Sequence, residues 1–175
     1  LTADADRVLT HDIDGYLNEF YNLTQAPDVE MMRYIGESIS VFQSGHHLAC
    51  VVLLGIASER LLEILAECLR DADDANGVSW FQDRYEKKRD ARIRFKSVSD
   101  LLIGKYGAEL DKAKLKDAFE GIITPTFHAI RLARNDIAHP SGRKFTWNEV
   151  NGFLHSFVQY FKYVDKIKAM LSNIS

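Results

Sequence analysis

The chain has 175 residues, 46% of them hydrophobic and 27% charged, with a net charge of −3. This is ordinary globular composition, long enough for one domain with a sizeable core. It excludes a global basic field of the kind that announces nucleic-acid binding. It also excludes a membrane span, because the longest apolar run, Leu48 to Ala57, falls short of the ~18–20 residues a bilayer requires.

The N-terminus, LTADADRV, is acidic and shows no signal-peptide pattern. The chain starts without Met, as expected of a processed protein or of a domain cut from a longer one. Cys50 and Cys68 fall on one predicted helix. Eighteen residues at ~1.5 Å each separate them by ~27 Å, so they cannot bridge. A reducing, cytoplasmic compartment is the default for such a chain.

Helical periods run almost throughout, and no convincing strand appears. Leu9, Ile13, Tyr16, Leu17 and Phe20 repeat at three and four and predict a first amphipathic helix. Pro27 suits the first turn of a second, with Met31, Ile35, Ile39 and Phe42 on one face. Ser44-Gly45 ends or kinks it. The next helix, about His46 to Asp71, is apolar on two faces: Leu48, Val52, Ile56 and Leu62 on one, Leu54, Ala57, Leu61, Ile64, Leu65 and Cys68 on the other. Such a helix is central and mostly buried, and Glu59 intrudes on the first face.

Asp71 to Gly77 reads as a polar turn. Ser79 with Gln82 resembles a capping box opening a helix that carries a basic run, breaks near Ser97 and restarts through Leu101 and Leu102. A short helix covers Lys114 to Ile122. Thr124-Pro125 suits the N-cap and first position of the next helix, which must end near His139, before Pro140. Ser141 to Lys144 form a loop. Thr146 and Glu149 form a second capping box, with Phe145 and Val150 as a hydrophobic staple. The final helix runs to about Ser172 on a stripe of Val150, Phe153, Leu154, Phe157, Phe161, Val164 and Leu171. The whole is a single all-α domain: a helical bundle with additional N-terminal helices.

Charge is unevenly spread. Residues 1–30 hold seven acids and one Arg, whereas residues 84–96 hold seven bases and two acids. The basic run is either a solvated helix face or a phosphate-tracking stripe. Zinc spacings, Gly-rich phosphate loops and nucleophile elbows are all missing from the sequence. The adjacent His46 and His47 point in different directions on a helix. His128 and His155 stand singly.

The constellation worth weighing is RNDIAHP, Arg134 to Pro140. Ile130, Ala133, Ile137 and Ala138 form an apolar stripe, with Phe127 on nearly the same side, and Arg134 falls on it. A guanidinium partly buried there needs an anion. Glu59 is the internal choice and a phosphate the external one, and the two are compatible. Asn135 and His139 are four apart and share a helix face. Arg134 and His139 leave the axis ~140° apart. The helix C-terminus favours protonated His139 and repels anions, so an anion here must be held by side-chain charge.

An arginine, a polar residue, three more residues and a histidine at the end of a helix resemble the R-x4–6-H signature of the HEPN superfamily, here Arg134-Asn135-Asp136-Ile137-Ala138-His139. The order of elements is similar too: long helices, the motif on the penultimate one, a short loop, a long last helix. The resemblance covers about residues 28–173 and implies an HEPN-like bundle of about four core helices. It further implies a metal-independent endoribonuclease leaving 2′,3′-cyclic phosphate and 5′-OH ends, in phage defence or a toxin system, without cofactor. Arg134 would stabilise the charge on the phosphate, His139 would act as general acid or base, and Asn135 would orient either. Glu59 would hold the arginine, and Arg84, Lys87, Lys88, Arg92 and Arg94 would guide RNA. The expected partners are RNA, a second copy bringing a paired motif across a two-fold axis, and an antitoxin or neighbouring domain. The alternative within the family is a non-catalytic nucleotide-binding or dimerisation module. Outside it, the motif is a helix-end pair complementing the dipole in an unrelated bundle.

Overall fold

A computed structural model of the protein describes residues 12–24, 26–73, 76–139 and 142–174, and among these the structure is helical with no strand. The helices are α1 (Ile13–Leu23), α2 (Val29–Gln43), α3 (His47–Ala72), α4 (Gly77–Trp80), α5 (Ala91–Lys112), α6 (Lys116–Ala118), α7 (Thr124–Ala138) and α8 (Trp147–Ser172). Two π-helical stretches, Phe81–Glu86 and Phe119–Ile123, continue α4 and α6.

α3 is the axis of the bundle, touched by α2, α5, α7 and α8. Its inner residues Val51, Leu54, Leu61 and Leu65 are essentially inaccessible. Each large side chain buried this way contributes ~1.5–3 kcal/mol. Of the two apolar faces expected for α3, the one through Leu54, Ala57, Leu61 and Leu65 is buried. The other is only half covered, with Leu48 at 46% exposure. α1 closes one side through Tyr16 and Phe20, both fully buried, and the Tyr16 hydroxyl donates to the Leu154 carbonyl of α8 at 2.9 Å. Leu9 of the predicted α1 stripe lies outside the described residues.

Local chemistry explains most helix ends. Asp28, not Pro27, starts α2: its Oδ1 accepts from the Met31 N–H at 2.8 Å. Gly45 takes φ +79° beyond α2, a backbone state glycine adopts without steric penalty. Thr146 and Glu149 form the full capping box expected for α8, and Phe145 and Val150 on either side of it are buried.

Four expected boundaries move. Ser79 and Gln82 do not cap a helix. α4 begins at Gly77, the Ser79 hydroxyl donates to the Asn76 carbonyl, and the break falls at residues 87–90, well before Ser97. Lys114 is not helical but takes φ +56°, closing α5 with a Leu115 N–H to Leu110 carbonyl bond of 2.9 Å. Thr124 is not an N-cap. It continues the π-helical stretch, and its hydroxyl donates to the Phe119 carbonyl at 2.9 Å. The wide π turn accommodates the missing N–H of Pro125, because Glu120 and Gly121 on that side are exposed to water.

Candidate functional site

α7 packs on α3 through Phe127, Ile130 and Ala133, all buried. Arg134 follows on the same face, so its side chain must cross α3. It does so at Gly55, where the aliphatic stem lies so close that an added Cβ would sit 2.7 Å from Arg134 Cδ and 3.3 Å from its Cβ and Cγ. One turn further along α3 is Glu59, and Arg134 Nη1 reaches its Oε1 at 2.5 Å. That oxygen is shielded from solvent without an aligned hydrogen bond, so the contact is an ion pair. Both side chains keep partial exposure, 27% and 34%. Gly55 and Glu59 thus form a seat: the glycine admits the stem and the carboxylate holds the tip. A guanidinium has five donors, so one edge on Glu59 leaves others for an external anion.

The seat opens on a cleft of about 370 Å³ lined by Arg89, Asp90, Ala91, Arg131, Arg134 and Asn135. The segment 87–90 brings Arg89 there, and Asp90 caps α5 by accepting the Arg92 N–H at 2.7 Å. Arg131 lies one turn before Arg134 on α7. Its Nε is shielded from solvent and has no hydrogen-bond partner. Nearby, His128 packs against Phe95 of α5 with ring centroids 5.0 Å apart. Its imidazole is held below its ordinary range, first by burial and then by the positive charges of Arg131 and Arg92.

His139 ends α7. Its backbone is extended, φ −98° and ψ 140°, as a residue before proline prefers, and its side chain is exposed. Pro140 and Ser141 themselves lie outside the described residues. The helix end is tied down by Arg143, which pairs with Asp136 of α7 and approaches Glu149 of α8 at 3.8 Å. His139 is not among the residues lining the cleft.

The residues expected to guide RNA disperse. Lys87 pairs with Asp83 at 2.5 Å. Arg94 turns inward, donating to the Lys88 carbonyl at 2.6 Å and lying over the Tyr85 ring at 5.1 Å. Arg84 borders a separate hollow with Trp80, Ser97, Asp100 and Leu101. Arg92, exposed on α5, adds its positive charge to that of Arg131 at His128. Sequence reasoning missed Gly55, Arg89 and Arg131. The one available signal was a glycine inside a long apolar helix, which marks a close approach.

No family model, no curated protein and no solved structure matches the chain.

Proposed function

We propose that this chain is an HEPN-type endoribonuclease that cleaves RNA without a metal ion, leaving 2′,3′-cyclic phosphate and 5′-hydroxyl ends. The observation that carries the reading is the seating of Arg134 through Gly55 and Glu59 at the mouth of an arginine-lined cleft, with Asn135 beside it and His139 at the end of the same helix.

A guanidinium anchored at one edge is pre-oriented, so it can meet the charge that builds on a phosphate in the transition state. Neutral His139 takes the proton of the 2′-hydroxyl, the 2′-oxygen bonds to phosphorus, and the bond to the 5′-oxygen breaks. The 5′-oxygen needs a proton from a second acid. A second copy of the chain, docked with its own His139 opposite the first, supplies it. The Asn135 amide orients the phosphate between them.

The separation of His139 from the cleft lining favours a second reading, a non-catalytic binding or dimerisation module. The two readings diverge on one substitution. In the nuclease, His139→Ala abolishes cleavage and leaves the thermal midpoint unchanged, because His139 is exposed. RNA left intact by the unmodified chain at micromolar concentration contradicts the enzyme and favours the module.

A further inference from the structure

Six of the ten arginines among the described residues are held by a protein acceptor. Arg33, Arg60, Arg70, Arg134 and Arg143 each hold a carboxylate, and Arg94 holds a backbone carbonyl. Arg84, Arg89, Arg92 and Arg131 hold no carboxylate among the described residues, and Arg84 borders a separate hollow. Two of these, Arg89 and Arg131, meet in one place. Arg89 and Arg131 line the cleft, and Arg92 follows Ala91, another lining residue. Arginines left unpaired and brought together repel one another unless an anion joins them. Among the described residues the only carboxylate lining the cleft is Asp90, and its Oδ1 accepts from the Arg92 backbone N–H. His128, Arg131, Asn135 and His139 are spaced three, four and four apart on α7, which places them along one helix face. That face runs ~12 Å from Arg131 to His139.

We infer that Arg89 and Arg131, flanked by Arg92, form a phosphate-binding subsite for the RNA backbone, in the cleft that Arg134 also lines and adjoining the scissile position at Arg134 and His139 on the same strand. The inference rests on the reading of RNA as substrate. A bound strand lays one phosphate between Arg89 of the 87–90 segment and Arg131 of α7, then follows the polar face of α7 to the helix end. The subsite adds affinity and sets register, since phosphate contacts position a strand without reading its bases. Arg131 is a positioning residue. It takes no part in proton transfer.

The test uses the full chain and a fluorescent 2′-O-methyl RNA oligonucleotide, whose blocked 2′-oxygen prevents cleavage. Binding is followed by anisotropy across a series of NaCl concentrations. Arg89→Gln and Arg131→Gln should each weaken binding roughly tenfold and make the salt slope shallower by about one. Arg131→Lys should keep the slope while losing affinity, because it keeps the charge and loses the fork geometry. Arg33→Gln, an exposed arginine on α2, should change neither. Because Arg89 is exposed, its variant separates binding from folding.

A second readout is the His128 imidazole resonance. Burial holds this group low first and the positive charge of Arg131 adds to it; a phosphate between Arg89 and Arg131 offsets that charge, so the oligonucleotide should move its titration upward. Unchanged affinity and slope in both Gln variants overturn the inference. A His128 response to inorganic phosphate with oligonucleotide affinity indifferent to both arginines makes the cleft a free-anion site and also overturns it. Arg131-dependent binding of the modified strand, with unmodified RNA left uncut, upholds the subsite while the nuclease reading fails.

Discussion

Arg134 is placed by a residue with no side chain. Gly55 lies in the middle of α3, where glycine is less favourable than alanine by about 1 kcal/mol, and the space it leaves is filled by the arginine stem. Gly55→Ala should therefore leave thermal stability nearly unchanged, because the helix gains what the contact loses. It should displace Arg134 from Glu59 and lower RNA cleavage by roughly 10- to 100-fold, as misplacement of a positioning group does. Measuring the melting temperature and cleavage rate of the same preparation checks both halves. His128 gives a pH prediction. Its folded-state pKa is depressed, so the unfolded chain binds the proton more readily. Stability should fall as pH drops through the ordinary imidazole value of 6.5 and level off below the folded value. Urea midpoints taken across that range for the unmodified chain and for His128→Gln isolate the contribution. The pairing of Arg134 with Glu59 was legible in the sequence because each charge interrupts an apolar stripe. Arg89 and Arg131 were not, since their neighbourhood is created by the crossing of helices and leaves no trace in local spacing, and Gly55 left only the signal of a glycine inside an apolar helix.

Among the elements, the end with a two-way cap was readable, whereas the single-residue caps Asp28 and Asp90 were not. The Thr146–Glu149 box has a fixed spacing and a fixed donor–acceptor logic, and it stands as expected. The π-helical stretches were unreadable, because each shifts the helical register only locally and the apolar period on either side survives. Asp28 carries a double task. It caps α2 through the Met31 N–H and accepts from Arg60 of α3 at 2.9 Å. The Arg60 hydrogen bond holds its carboxyl below the usual range, against the opposing effect of partial burial. Asp28→Ala should lower unfolding free energy by about 1–2 kcal/mol near neutral pH, measured by urea titration. Asp28→Asn should lose less, since an amide oxygen still caps. A lowered carboxyl stabilises above its unfolded pKa. The stability difference between the unmodified chain and Asp28→Asn should therefore vanish as pH falls through 3.8 and below.

At the scale of the whole molecule, the all-helical bundle with a central α3 was legible from periodicity alone, and the bundle explains why the motif is where it is. α7 is pinned to α3 by its apolar face and to α8 by Arg143, which leaves its outer face and its C-terminal end for other partners. Exposed Leu132 on that helix and the need for a second acid both call for a second copy. Sedimentation equilibrium should give twice the mass of one chain, and a monomer at every concentration contradicts the paired-motif arrangement. The charge distribution fits the same picture: the acidic first thirty residues are remote in sequence from the arginines of the cleft, and a net charge of −3 coexists with a cleft lined by Arg89, Arg131 and Arg134 against the single carboxylate of Asp90. End-group analysis reads the proposed chemistry itself. RNA incubated with the chain in EDTA should yield fragments with 2′,3′-cyclic phosphate and 5′-hydroxyl ends, and Arg134→Ala or His139→Ala should yield none. Intact RNA, or cutting that requires added metal and leaves 5′-phosphate ends, contradicts the account.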